Sequence, residues 1–343
     1  MKTLRYIQLF GAILLGAFLC SCDVHEFPYP VYREVPFLLH LNYDTELPLY
    51  KTLTYDNESR AGAPEDYDIR YTINVYSADE QADEREIVRS FVVTKDDVSS
   101  YDNSVELMLE PGNYTFRVWS DFIEAGGGDL HYSTSSIEAI RILGDAHPGS
   151  NDLRDAFRGY VTSEVSDAVA EATVVMQRPM AKYNFISVDL HEFINNVINS
   201  RASRLQAMGF SAEEQVESKA VSINDFEVVL RYGGFMPTEY NMFTDKPSDS
   251  QAGISYKSKM RMLDNGEVEL GFDYVFTNGA ESAVNVSIEV YDYDGELLST
   301  FRSVNVPLLR SHLTTIRAKF LTSGTGGVTV MPEFDGEYNY LVD

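Results

Sequence analysis

Apolar and polar residues alternate with period two through most of the chain, the pattern of strands that bury one face. The alternation starts at Val35, where Val35, Phe37, Leu39 and Leu41 alternate with Pro36, Leu38, His40 and Asn42. After a polar loop with Gly and Pro (Asn57 to Asp66), Ile69 to Tyr76 alternates cleanly, and a charged loop separates it from Ile87 to Val93. Val105 to Leu109, the turn Glu110-Pro111-Gly112-Asn113, and Tyr114 to Trp119 read as a β-hairpin. Each arm carries β-branched and aromatic residues on one face, and Trp119, which ends an arm, is assigned to the core. Gly126, Gly127 and Gly128 make a loop; a phosphate cradle would need a following helix and a lysine. Ser136 to Leu143 is a further strand, and Asn151 to Gly159 is a helical turn laid across a sheet edge. Ala172 to Met176 and Ala181 to Leu190 are strands interrupted at Arg178-Pro179, where proline removes a ladder donor and marks a bulge or an edge crossing.

The period changes once. Asp189 with Glu192 resembles a capping box, Ile194, Val197, Ile198, Ala202, Leu205 and Met208 form an i, i+3, i+4 stripe, and Gly209 stands where a C-cap glycine belongs. The stripe packs within the molecule, between two domains, or serves as a face for a partner or a membrane; the polar Asn195, Asn196, Arg201 and Arg204 opposite it favour packing. Period two then resumes in Phe226 to Tyr232, Gly253 to Tyr256, Glu269 to Phe276, Val284 to Tyr293, Ser299 to Val306, Leu313 to Leu321 and Val328 to Met331. Tyr291 to Glu296 lacks the later ligands of a calcium loop, so its Asp-Gly reads as a hairpin turn. Short strands without βαβ alternation predict an all-β fold of two tandem sandwiches with one inter-domain helix. The expected spans are 35–190 and 220–343, with the helix and a linker over 191–219.

Ahead of the first strand the chain reads differently. Lys2 and Arg5 precede an uncharged apolar run, Ile7 to Leu19, too short to span a bilayer comfortably, so residues 1–21 read as a signal peptide. Leu19-Cys20-Ser21-Cys22 resembles the lipobox of bacterial lipoproteins, in which cleavage after Ser21 leaves a diacylated Cys22 as the first residue. Cys20 fits poorly, because bulky Leu19 precedes it. The other reading is an ordinary secretory signal with two incidental cysteines. Residues 22–34, with Pro28 and Pro30 and no periodicity, are a tether from the membrane. The expected location is the outer membrane, lipid-anchored and facing outward.

Charge narrows the partners. The chain carries 27 Lys+Arg against 53 Asp+Glu, a net charge of -26, and a surface that acidic repels phosphate backbones and anionic headgroups. Nucleic acid is excluded as a partner. With Cys20 removed and Cys22 lipidated no thiol remains for a disulfide, so stability rests on burying the 44% of residues that are hydrophobic. His25, His40, His131, His147, His191 and His312 are scattered without metal-ligand spacing, and His191-Glu192 lacks the second histidine of a zinc-protease helix. There is no Gly-x-Ser-x-Gly. The sequence predicts no catalytic residues, metal or cofactor, although a glycosidase-like carboxylate pair across a sandwich is unreadable from spacing. A carbohydrate-binding lipoprotein is the competing reading; it would need exposed aromatics, and the 22 tyrosines fall mostly at strand positions.

Several motifs in order carry a family resemblance. Leu109 to Tyr114 leading to Val118-Trp119, Asp155-Ala156-Phe157-Arg158-Gly159 and Met176 to Lys182 resemble the N-terminal domain of fimbrillin-type lipoproteins of Bacteroidota. Phe235 to Asn241, Val306 to Ile316 and Phe334 to Asn339 are similar to the second half of that group. The resemblance implies two transthyretin-like, Greek-key sandwiches and a structural or adhesive role in surface fimbriae, with other fimbrillin-like subunits or surface ligands as partners. In that family stalk subunits lose an N-terminal strand to an arginine-specific protease and polymerise by strand exchange, whereas anchors keep their lipid. Here Arg33 lies before the first strand, so cutting there would free the tether without opening a groove. Beyond Leu321 only Val328 to Met331 and Tyr338 to Val342 read as strands. Both points lean towards an anchor-like subunit or an uncharacterised relative, with the alternation of Tyr338, Tyr340 and Val342 as an exchangeable edge or simply the last strand of the second domain.

Overall fold

The computed structural model describes residues 33–43, 66–79, 85–95, 102–209, 221–322 and 337–341. In the first half of the chain lie β1 (Val35–Tyr43), β2 (Tyr67–Ser77), β3 (Ile87–Lys95), β4 (Asp102–Leu109), β5 (Gly112–Glu124), β6 (Tyr132–Ser133), β7 (Ile140–Ile142), β8 (Ala156–Val165) and β9 (Glu171–Met176). Next come β10 (Met180–Ser187) and helix α1 (Leu190–Ala207). The rest is β11 (Phe226–Tyr232), β12 (Phe235–Asn241), β13 (Lys246–Ala252), β14 (Ser255–Lys259), β15 (Arg261–Met262), β16 (Val268–Phe276), β17 (Glu281–Asp292), β18 (Leu297–Leu309), β19 (Leu313–Ala318) and β20 (Glu337–Leu341). The fold is all-β with a single α-helix among the described residues.

Two sheet pairs share one strand order. Sheet β4-β1-β9 faces sheet β3-β2-β5-β8, and sheet β15-β16-β10-β19-β20 faces sheet β14-β11-β17-β18. In each pair the opening strand is central, antiparallel to one neighbour and parallel to the other: β1 lies between β4 and β9, and β10 between β16 and β19. β10 therefore stands in the second pair where β1 stands in the first, although the sequence groups Ala181 to Leu190 with the first domain. Within these four sheets only β15 and β20, among the described strands, are extra to the repeat.

Each pair closes on its own core. Phe37, Leu39 and Leu41 of β1 meet Tyr71, Ile73 and Val75 of β2 in the first, and Tyr183 and Phe185 of β10 meet Val228 and Leu230 of β11 in the second. A third core lies between the pairs. There Trp119, Tyr132, Ile140, Met180, Tyr240 and Phe276 pack together across sheet β13-β12-β7-β6, whose strands come from both halves of the chain. This middle layer explains why β2 and β16 are buried on both faces instead of alternating in exposure.

Three expectations are corrected. The arms flanking Glu110 to Asn113 do not pair: β4 bonds to β1, while β5 bonds to β2 and β8. The turn carries the chain from one sheet to the facing one, so Leu107 and Leu109 meet Phe116 and Val118 across the core. Alternation in two consecutive strands is the same whether they pair or face each other. The helix, secondly, is not inter-domain: its buried residues Leu190, Phe193 and Val197 belong to the second core, and Phe193 was absent from the predicted stripe. Thirdly, Asp189 makes no side-chain cap; its carboxylate accepts from Ser187 Oγ and from Thr322 N and Oγ1, both at 2.7 Å, tying the start of the helix to the chain after β19.

Other readings hold. Asp292 Oδ1 accepts from the amides of Asp294 (3.0 Å) and Glu296 (2.9 Å), closing the β17–β18 hairpin with Gly295 at φ 79°. Of the helical turn expected over Asn151 to Gly159 only Asp152–Arg154 is one, a 3-10 turn, and from Ala156 the chain is strand β8 paired with β5; Arg178-Pro179 is the crossing from the first sheet pair to the second. The β12–β13 hairpin carries few apolar residues, among them Met236 and Tyr240, and so shows no period-two signal.

Candidate functional site

Cys20, Ser21 and Cys22 lie outside the described residues. Arg33 is exposed just before β1, and Glu34 beside it pairs with Arg89 of β3. The histidines are dispersed: His40 lies 3.4 Å from Glu171, His191 is exposed on α1, the ring of His312 donates through Nδ1 to Arg310 O at 2.8 Å, and His25 is outside the described residues. Among the described residues no three His, Cys, Asp or Glu side chains gather as a metal site. Trp119 is fully buried, as the sequence predicts, but in the middle core and not in that of the first sheet pair.

The feature that the sequence hides is a polar seam around the third core. The segment between β7 and β8 reaches into the second sheet pair, where Ser150 N donates to Phe272 O at 2.8 Å and Gly149 lies against the ring of Tyr256. A Cβ on Gly149 would come within 2.3 Å of that ring. Further along, Arg154 and Asp273 form a buried ion pair, Arg154 Nη2 donates to Tyr274 O at 3.0 Å, and Asp273 Oδ2 lies 2.6 Å from both His147 Nε2 and the hydroxyl of Tyr232, which donates to it. Burial alone would raise the Asp273 carboxyl; Arg154 and His147 outweigh it and hold the group below the usual carboxylate range. The motifs Asp155 to Gly159 and Met176 to Lys182 meet at this seam. Arg178 donates twice to Asp155, at 2.7 Å each, with its guanidinium 4.6 Å from the Phe157 ring centroid. Arginine in a polar turn or at a proline crossing ordinarily signals solvent, so the sequence does not show these pairs.

The seam also makes acid stability readable. Burial, with Arg154 and His147 adding to it, pushes the His131 imidazole down to about 4, while Asn151 lies 3.0 Å from its Nε2. A lowered folded value means that the unfolded chain binds the proton first, so stability falls as pH drops from about 6.5 towards 4. Asp121, which burial pushes up to about 6 despite Arg70, acts in the opposite sense over the same window. The readout is therefore a difference: His131→Asn should lose less stability than wild type between pH 7 and 4.5, by up to about 3 kcal/mol in urea titrations. Parallel curves would show that His131 does not carry the slope.

The sheet edges are the other candidate surface. β20 lies parallel to β19 and is hydrogen-bonded on one side only, as the outer strand of its sheet. The equivalent position in the first sheet pair is the outer edge of β9, where no described strand lies and Val175 is exposed. β3 is a nine-residue edge strand with Ile87, Val88 and Val92 exposed. An edge presents unpaired N–H and C=O groups that can take a strand from another chain.

The architecture is that of an all-β sandwich protein with exposed strand edges. The chain belongs to a family of unknown function, DUF6562, whose model matches residues 34–343. No curated protein matches it. It is similar to three solved fimbrial proteins. The first is the fimbrial anchor protein Mfa2 from Porphyromonas gingivalis, at 12% identity over 78% of this chain and 82% of that one, with a TM-score of 0.38. The second is a fimbrial assembly protein from Parabacteroides distasonis, at 10% identity over 83% and 90%, with a TM-score of 0.35. The third is the tip fimbrial protein Mfa3 from Porphyromonas gingivalis, at 10% identity over 80% and 81%, with a TM-score of 0.34.

Proposed function

We infer that this protein is a non-catalytic surface lipoprotein, anchored through Cys22, that serves as a fimbrillin-like structural or adhesive subunit and joins other subunits by strand pairing. One observation carries the reading. β20, like β15 at the opposite edge, is an addition to the strand order that the two halves share, and it covers the edge of β19 while the matching edge of β9 has no described strand. Strand addition draws its affinity from main-chain hydrogen bonds along one such edge, so an outer strand and an edge with no described neighbour are the two halves of an assembly contact. The placement of β1 supports an anchor over a stalk. Its apolar side chains are buried and its backbone is paired on both sides directly after Arg33, so cleavage at Arg33 would free the tether and leave the strand seated.

The test is crosslinking on intact cells followed by affinity purification and fatty-acid labelling. The full-length protein should carry label and bring down another surface subunit. Deleting residues 334–343 should keep the label and lose the partner, whereas Cys22→Ala should lose the label and accumulate precursor. Recovery of monomer alone from the full-length protein would overturn strand assembly, and a labelled Cys22→Ala would overturn the lipid site.

A further inference from the structure

A cavity of about 370 Å3 opens at the seam, and its wall holds two arginines of a chain that is otherwise strongly acidic. Arg158 comes from β8; Asp245, from the β12–β13 turn, and Arg310, just after β18, come from the other half. Both guanidiniums pair with the Asp245 carboxylate, Arg158 Nη2 at 2.9 Å and Arg310 Nη1 at 2.6 Å, and the Tyr240 hydroxyl donates to it as well. The arginine side chains keep only 11% and 14% of their exposure, against 46% for Asp245. Two cations facing one carboxylate leave a net positive charge at a largely dry surface. Arg158 Nη1, spent on Gln177 at 3.1 Å, and Arg310 Nη1 each have a second N–H beyond the bond they make. Asp245 and Ser311, at φ 55° and 63°, are two of the four non-glycine residues with left-handed backbone among the described residues, and both line this cavity. Strain of that kind persists where surrounding contacts over-determine it, and it gathers at ligand sites.

We propose that this cavity binds a carboxylate-bearing sugar of the hexuronic acid class. Asp245 shows the chemistry that the pocket accepts, since it is itself a carboxylate held between two guanidiniums. A second carboxylate takes the remaining Arg158 and Arg310 donors, for charge-assisted bonds. A simple carboxylate would leave the rest of the wall idle. The Gln177 oxygen, which takes one bond from Arg158, accepts a second from a ring hydroxyl, the Ser311 hydroxyl serves either way, and Leu309 and Ala280 give the ring an apolar side. The volume lies at the lower end of the roughly 300–1,000 Å3 of small-molecule sites, which suits a single ring. The net charge of -26 repels anions at long range, so affinity here comes from these contacts and not from steering.

The experiment is calorimetric titration of the protein with galacturonate and glucuronate, alongside neutral galactose and acetate. At least one uronate should bind saturably, at least about tenfold tighter than galactose or acetate, the factor expected for losing one hydrogen bond to a charged group. Ala280→Trp changes the side chain of an exposed position at the mouth and keeps the backbone bond by which Arg310 N donates to Ala280 O at 2.8 Å. It should abolish uronate binding with an unchanged melting temperature, and Gln177→Ala should weaken binding several-fold. Absence of saturable uronate binding, equal binding of galactose, or binding that persists in Ala280→Trp would each overturn the assignment. None of these outcomes bears on strand assembly, which is read by crosslinking.

Discussion

Replacing Asp273 by Asn should cost about 3–5 kcal/mol of folding stability, because it leaves the Arg154 charge buried without its counter-ion. Arg154 is almost wholly buried, and the only full opposite charge it contacts is Asp273. Tyr274 O and the Tyr132 hydroxyl, which donates to Arg154 O at 2.6 Å, position its neighbourhood but do not neutralise it. Asn is nearly isosteric, so packing is preserved, and the loss reports the charge together with the acceptor that its NH2 cannot replace. The pH dependence separates this from a general defect. Since Arg154 and His147 hold Asp273 below its ordinary value against the pull of burial, its contribution is fully present above the unfolded value near 4 and is lost as pH falls through the folded value. The gap between wild type and Asp273→Asn should therefore stay constant from pH 7 to about 5 and narrow below about 4. A variant within about 1 kcal/mol of wild type at pH 7, or a gap that widens in acid, would remove the ion pair as the fastening of the seam.

What could be read in the chain follows from how local each signal is. Period two located β1 and β17 because a strand with one buried face writes its own pattern, and it located β2 and β16 because their residues alternate although both faces are buried; Asp-Gly located the β17–β18 turn because only local geometry decides it. Pairing is not local. The segment Glu110 to Asn113 has turn residues between two alternating runs, and the same residues serve a hairpin or an arch between facing sheets. The helix at Leu190 was visible from its period, yet its partner was not, since a stripe states that a face is buried and not against what. The cores split in the same way. Phe37 and Leu39 were legible, whereas Trp119 was legible as buried but its place in a third layer was not. Least visible were Arg154, Arg178 and Arg158, whose burial depends on aspartates that in two of the three cases lie more than 80 residues away or across the seam. The repeat of strand order between β1–β9 and β10–β19 left no trace in the motifs, because topology is conserved by which faces are apolar and not by which residues make them.

Trp119→Ala should destabilise the protein by about 3–5 kcal/mol, the usual cost of truncating a buried tryptophan. The ring has no exposure and stands edge-on to Tyr132 of β6 at 5.5 Å and tilted to Tyr240 of β12 at 6.4 Å. Those two partners come from opposite halves of the chain, so Trp119 on β5 joins the first sheet pair to the middle layer built by both. The cavity would open between the sheet pairs, and the core that Phe37, Tyr71 and Phe116 form within the first pair would be left intact. The expected signature is therefore a change in cooperativity as well as in midpoint. The melting temperature should drop by on the order of 10 °C, at roughly 2–4 °C per kcal/mol. Calorimetry should also resolve two transitions where wild type shows one, as the halves unfold separately. Leu39→Ala, in the first core alone, should lower the midpoint without splitting the transition. If Trp119→Ala leaves the melting temperature unchanged and instead removes binding to a glycan array, the ring is a sugar platform and the middle core does not hold the halves together.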